Sequence, residues 1–205
     1  MARRTKEEAL ATRDRILDAA ERVFHRKGVG RTSLSEVAAD AGVTRGAIYW
    51  HFANKGELFD AMMSRAILPL ESIEQADYEA ALRPLDELRA RLLSILERIL
   101  EEPRYLRVFS IAWHKCEYVD EMVPTIDQCM EAGDRHLGRI EQAIRAAAAR
   151  GQLDPGVEPR RAAMGLMVLI DGLIADWAMQ PHAIGLDDAR AWIDCYLRGL
   201  GAAVG

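Results

Sequence analysis

Arg45, Tyr49 and His51 stand close together in the stretch "TRGAIYWHFANKGEL" (44–58), with Trp50 between the last two. Arginine carries a planar fork of N–H donors that matches the O6 and N7 acceptors of guanine, while tyrosine and histidine can donate hydrogen bonds to phosphate oxygens. Successive residues on a helix point about 100° apart, so Tyr49, Trp50 and His51 cannot all face a core. If Ile48 and Phe52, four apart, point inward, then Arg45 and Tyr49, also four apart, point outward together. Gly46 lets the backbone come close to a partner. Lys55 adds charge beside a helix N-terminus, itself an anion-binding position. Trp50 either joins the outward set or packs its ring on the first helix. The chemistry on offer is recognition of a nucleic acid; the competing reading makes Arg45 and Lys55 solvated charges and the aromatics a cap on a core.

The elements that must hold these residues are helices. From Glu8 to Lys27, the residues Ile16, Ala20, Val23 and Phe24 mark one apolar face, and Gly28 is placed to end the helix. "SLSE" predicts a capping box with Ser33 as N-cap and Glu36 three residues on. Leu34, Val37, Ala38 and Ala41 follow as the stripe of a two-turn helix, closed by Gly42. Thr44 is placed to cap the next short helix. Asn54 and Glu57 start a longer one through Leu58, Phe59, Met62, Met63 and Ala66. Two short helices joined by a tight glycine turn are helix-turn-helix geometry, whose second helix enters the major groove. Further helices are expected near 84–102, 104–118, 122–150, 159–179 and 187–202, with no period-2 strand pattern competing.

Charge agrees with this division. The chain of 205 residues has a net charge of −5, yet residues 1–55 hold 11 Lys/Arg against 7 Asp/Glu, a basic module on an acidic body. The N-terminus has no apolar run of the secretory kind, and the longest nearly uncharged apolar run, "AAMGLMVLI" (162–170), is about half of what spans a bilayer. A cytoplasmic protein without membrane contact is expected. Cys116, Cys129 and Cys195 form no C-x-x-C pair and indicate neither disulfides nor zinc.

The segment "TRDRILDAAERVFHRKGVGRTSLSEVAADAGVTRGAIYWHFANKGELF" resembles the DNA-binding domain of the TetR family of repressors, with G-V-x-R-G-A-I-Y-x-H-F-x-x-K close to the family consensus. "MARRTKEEALATR", "WHKCEY" (113–118), "RGQL" (150–153) and "DGLIADW" (171–177) are similar to the AcrR/TtgR subgroup, which represses multidrug efflux pumps. The resemblance implies a homodimer on a double-stranded, palindromic DNA operator. It places Ser33, Tyr49, His51 and Lys55 at phosphate-touching positions and Thr44, Arg45 and Gly46 at base-reading ones. Arg3 and Arg4 read as a flexible basic arm able to reach a minor groove.

Residues 56–205 hold no G-x-S-x-G, no H-E-x-x-H, no phosphate loop and no dinucleotide fingerprint, so neither an enzyme activity nor a cofactor is expected. His114 and Glu117, two possible ligands without a third, do not make a metal site. Asp171 lies within an otherwise apolar helix, between "MVLI" and "GLI". A carboxylate there needs a partner or water. It is either a paired structural Asp or the polar anchor of a drug-sized apolar pocket. Phe109 and Trp113, four apart, with Cys116 on a neighbouring line, would supply part of the lining. Ile67, Leu70, Leu92, Leu93, Leu96, Ile140, Ile144, Met167 and Ile170 would complete an apolar wall, although each also suits plain core. Helix 159–179 is apolar on nearly all sides; with Trp177, Trp192, Tyr196 and Leu200 it can form a four-helix dimer interface, as the family does.

The expectation is an all-α chain. An N-terminal three-helix helix-turn-helix DNA-binding domain spans 1–55, and a C-terminal helical ligand-binding and dimerisation domain spans 56–205. Its function would be ligand-responsive repression, released by small hydrophobic, aromatic or cationic inducers and directed at an efflux-pump operon. The alternative is a repressor of the same fold answering to one metabolite.

Overall fold

The computed structural model describes residues 2–116, 123–180 and 184–201. Regular structure among them is helical: α1 (Ala2–Lys27), α2 (Leu34–Asp40), α3 (Arg45–His51), α4 (Lys55–Glu74), α5 (Pro84–Glu101), α6 (Pro103–His114), α7 (Val123–Ala149), α8 (Pro159–Met179) and α9 (Leu186–Gly199). Proline opens α5, α6 and α8, where its missing N–H would have no partner anyway. The Glu158 carboxylate caps α8 by accepting from the amides of Arg160 and Arg161 at 3.1 and 2.9 Å.

The chain groups into two compact units, one of residues 1–67 with 107–129 and the other of 68–106 with 130–205. This grouping divides the chain elsewhere than at 55/56, because α6 is tied to the first helices. Lys115, just past the end of α6, is held to the end of α1 and the turn after it: the amide of Val29 donates to the Lys115 carbonyl at 2.9 Å, and Lys115 Nζ donates to the His25 carbonyl at 2.5 Å.

In the first unit α1 packs on α2 and α2 on α3. Ile16, Leu17, Ala20, Val23 and Phe24 of α1 meet Leu34, Val37 and Ala38 of α2, Ile48 of α3, Phe52, and Leu58, Phe59 and Met62 of α4 in one buried core. Each large apolar side chain buried there contributes about 1.5–3 kcal/mol. Gly28 and Gly42 turn the chain at φ +85° and +65°, a region unfavourable to residues with a Cβ. Glu21 is buried and accepts from Arg65 of α4 at 2.5 Å, while Asp18 takes the same guanidinium at 2.7 Å. A buried carboxylate needs such a partner, and the pair fixes α4 to α1.

In the second unit α9 packs on both α5 and α8. Leu88, Leu92, Ile95, Leu96 and Ile99 of α5 and Ile140, Ala143, Ile144 and Ala147 of α7 are buried with Leu166, Ile170, Leu173 and Trp177 of α8 and Ile193 and Leu197 of α9. Arg89 Nε and Nη2 fork onto the two oxygens of Asp194 at 2.5 and 2.9 Å, a geometry that fixes rotation as well as distance.

Four elements differ from expectation. Helix α1 begins at Ala2, so Arg3 and Arg4 lie on helical backbone where a flexible arm was expected; their side chains lie outside the described residues. Helix α4 continues past Ala66 to Glu74 across Pro69, which forfeits one backbone bond without ending the helix. Helix α6 ends at His114, and residues 117–118 of the expected span, Glu117 among them, lie outside the described residues. Helix α8, at a mean hydropathy of 1.6, is long and apolar enough to cross a membrane, which the short run 162–170 does not suggest. Seven of its residues, from Ala162 to Trp177, are buried in the core, as suits a core helix.

Candidate nucleic-acid interface

Helix α3 owes its orientation to its buried side. Ile48 is fully buried and Phe52 nearly so, which leaves Arg45, Gly46, Tyr49 and Trp50 exposed on the opposite side. Thr44 caps the helix by accepting from the Ala47 amide at 3.1 Å. The Arg45 guanidinium stands 5.8 Å from the Tyr49 ring centroid, a cation–π contact that pre-positions the donor fork. Trp50 is 74% exposed and meets His51 edge-on at 4.6 Å between centroids, so the alternative in which it packs on α1 does not hold. At Gly46 an added Cβ would come no nearer than 4.0 Å to Thr44 Oγ1, so any need for glycine comes from a partner outside the chain.

His51 is half-buried, and its pKa is lowered first by burial and then by Arg13. The lowered pKa favours the neutral imidazole in the free protein, which can donate one hydrogen bond, while a phosphate beside it would pull the pKa back up. Lys55 Nζ donates to the Gly30 carbonyl at 3.1 Å, which leaves two ammonium hydrogens for a partner and anchors α4 to the turn before α2. Asn54 Oδ1 accepts from the Glu57 amide at 2.8 Å, but Glu57 reaches back to the amide of Ala53 and not to that of Asn54. Asn54 thus caps α4 as expected, and only the reciprocal bond accepted by Glu57 falls one residue earlier, on Ala53.

Ser33 forms the expected box with Glu36, whose amide donates to Ser33 Oγ at 3.3 Å and whose carboxylate accepts the Ser33 amide at 2.9 Å. The Ser33 hydroxyl also donates to that carboxylate at 3.0 Å, so its proton is engaged within the chain, and a phosphate would have to compete for it. Lys27 pairs with the same carboxylate. Lys27 first, and then the Ser33 bonds, bring the Glu36 pKa down to about 2.

The expected ligand-binding residues divide between the two units. In the first, Phe109 and Trp113 stack with centroids 5.4 Å apart and planes at 18°, and Ile67 is half-buried. Cys116 departs from the expected apolar lining, because the chain leaves the helix after His114 and puts Cys116 beside Arg26, Lys27, Arg31 and Lys115 in a cationic cleft. In the second, Leu70, Leu92, Leu93, Leu96, Ile140, Ile144 and Ile170 are buried, while Met167 and Asp171 are half-buried. The Asp171 pKa is raised by burial, with His136 opposing. Burial is the larger influence on Asp171, and the two readings of this carboxylate, structural partner or ligand anchor, make different predictions for its removal.

Of the expected dimer residues, Trp192 is 43% exposed and Tyr196 and Leu200 are half-buried. Trp177 is wholly buried inside its own chain, its indole N–H donating to the Ile184 carbonyl at 2.9 Å, and it offers no surface to a partner. The sequence reading did not single out Met164, Val168 and Met179, which are exposed along one side of α8. Their spacings of four and eleven were legible as a helical stripe. What hid them was the apolar character of the whole helix.

Residues 16–62 match the family model of bacterial regulatory proteins of the tetR family, and residues 83–201 match that of the C-terminal region of MAATS-type transcriptional repressors. A probable HTH-type transcriptional regulator of Pseudomonas putida, ArpR, is 41% identical over 197 residues, covering 95% of this chain and 93% of its own. The crystal structure of NalD, the secondary repressor of the MexAB-OprM multidrug efflux pump in Pseudomonas aeruginosa, superposes with a TM-score of 0.84 at 35% identity, over 95% of this chain and 98% of the other. A complex of SmeT with triclosan gives a TM-score of 0.79 at 32% identity, over 92% and 91%.

Proposed function

Because the chain belongs to the TetR family of bacterial regulatory proteins, a family of DNA-binding regulators and not of enzymes, we propose that it is a cytoplasmic, dimeric repressor of a multidrug efflux operon, released from a palindromic operator by small hydrophobic or aromatic compounds. The observation that carries the DNA-binding part is the split of α3. Ile48 and Phe52 hold one side in the core while Arg45, Tyr49 and Trp50 stand in solvent. Exposed aromatic side chains beside an arginine on a short helix are costly in water and useful against base edges and phosphates.

The dimer is supported by exposed apolar side chains on neighbouring helices: Met164, Val168 and Met179 of α8 and Trp192 of α9. Their burial against a second copy would bring two α3 helices to one duplex, and two such helices enter successive major grooves roughly 34–36 Å apart. The inducer class is supported by the likeness to NalD and to SmeT, the latter solved with triclosan. Within the second unit, half-buried Asp171 on the apolar helix α8 is the residue proposed to meet cationic inducers; within the first, the Phe109–Trp113 stack is proposed separately as an aromatic contact.

The test is a titration of the full-length protein onto duplexes tiled from its own promoter region, followed by release with chemically unrelated drug-like compounds. Specific binding to one near-palindromic duplex, and release by several compound classes, is the expected result. Release by a single metabolite class would replace the multidrug reading, and indifference to DNA sequence would remove the repressor reading altogether.

A further inference from the structure

Where α1 ends and α6 ends, the first unit encloses a cleft of about 270 Å³. Five of its lining residues can carry positive charge: Arg26, Lys27, Arg31, His114 and Lys115. Two are neutralised locally, Lys27 by Glu36 and Arg26, more loosely, by Asp40 at 3.6 Å. The other three have no carboxylate partner among the described residues. Among the described residues, Arg31 engages Nε alone, on the Lys27 carbonyl at 3.0 Å, and Lys115 one ammonium hydrogen, on the His25 carbonyl.

Basic side chains at helix C-termini commonly offset the helix dipole, and His25, Arg26 and Lys27 in the last turn of α1 suit that role. Arg31 does not, because it lies beyond the helix in the turn before α2, with its two terminal nitrogens unpartnered among the described residues and able to form a fork. The floor of the cleft is backbone held in place. Val29 donates to the Lys115 carbonyl at 2.9 Å, and Gly28, at φ +85°, brings the turn so close that an added Cβ would lie 3.4 Å from that oxygen. The cationic groups are therefore carried by segments already bonded to each other, which lowers the ordering cost of gripping a ligand between them. Nearby His25 registers the same field: its pKa is lowered by burial, then by Lys115 and Arg107.

We propose that this cleft is a binding site for a small multivalent oxyanion of the diphosphate class, gripped between Arg31 on the turn before α2 and His114 and Lys115 at the end of α6. Fork-like donors from arginine and point charges from lysine are the side chains that hold phosphate oxygens. The volume admits a diphosphate group. A backbone phosphate of bound DNA carries the same chemistry, but it is monovalent and held on an extended strand, whereas Arg31, His114 and Lys115 line one concave cleft.

The test uses the full-length protein and inorganic pyrophosphate, followed by calorimetry at near-physiological salt, where weak surface attraction is screened. Saturable binding is expected, weakened at least about tenfold in the double variant Arg31→Gln/His114→Gln and largely kept in Arg31→Lys, with operator affinity in the absence of pyrophosphate unchanged. Hydrogen exchange of the unmodified protein should show pyrophosphate protecting residues 28–31 and 114–116, a readout that survives should the double variant fold poorly. Absence of saturation, or protection elsewhere, overturns the site. So does a double variant that loses operator affinity and salt dependence while binding pyrophosphate normally, which would assign these cations to the DNA backbone.

Discussion

The hydroxyl of Tyr196 on α9 donates a 2.8 Å hydrogen bond to the carbonyl of Ala162 on α8, and Gly165 is what lets it reach, since a Cβ there would lie 2.3 Å from that oxygen. The two helices meet through a missing side chain. Gly165→Ala should therefore destabilise the chain by about 1–3 kcal/mol. Tyr196→Phe should cost about 0.5–1.5 kcal/mol for the hydrogen bond. In Tyr196→Ala the added methyl has room, so a double-mutant cycle in denaturant should show most of the Gly165→Ala cost disappearing. Additive costs would mean that the glycine serves some other need.

Trp177 and Trp192 should behave oppositely. Trp177 is wholly buried and bonded to Ile184, so Trp177→Ala should cost about 3–5 kcal/mol and lower the thermal midpoint. Val168, 71% exposed, and Trp192 lie on the face proposed to meet a second copy. Val168→Asp or Trp192→Asp should shift sedimentation towards a monomer and abolish operator binding, with the helical content retained.

On α3, Arg45→Ala should weaken the operator complex by about 1–3 kcal/mol and relax preference at one base pair of each half-site. Lys55→Ala should weaken specific and nonspecific duplexes alike and reduce the salt slope by about one for each phosphate no longer neutralised. Binding curves at several salt concentrations distinguish the two. An identical, sequence-independent loss would erase the division between base reading and phosphate contact.

Glu36 sets an acid-side dependence. Its pKa falls from 4.5 to about 2 on folding, so its stabilising effect is complete above 4.5 and is lost as the pH falls through about 2. Glu36→Gln keeps an acceptor for the Ser33 amide but loses the Lys27 pair. The stability advantage of the unmodified protein, read from denaturant midpoints, should be present at neutral pH, shrink through that window and vanish below it.

Asp171 carries the reverse sign. Burial raises its pKa, so the ionised form is a burden on the folded chain, present above its folded pKa and relieved as the pH falls through it. Asp171→Asn should leave the thermal midpoint at neutral pH unchanged or higher, and cationic inducers should lose more affinity than neutral aromatic ones. A lowered midpoint with both ligand types bound normally would make Asp171 scaffold.

The order of helices, the caps at Ser33 and Thr44 and the inward turn of Ile48 and Phe52 were all legible from residue types and short spacings, because they depend on neighbours within one or two turns. Once Ile48 is buried, the exposure of Arg45 and Tyr49 follows from helical period alone. Other features depended on what the chain brings together from far away. Trp177 and Trp192 are the same residue type on adjoining apolar helices, yet the Ile184 carbonyl and the surrounding core bury the first and leave the second in solvent. Asp171 had two readings that pattern could not separate, since what surrounds its carboxylate, burial and His136, comes from packing with a distant helix and not from its neighbours in sequence. Cys116 looked like one more position on an apolar helix, but α6 stops at His114 and the turn delivers it to the end of α1, some ninety residues earlier in the chain. Local periodicity determines which face of a helix is apolar; only packing decides what that face meets, and therefore which polar groups lose their water.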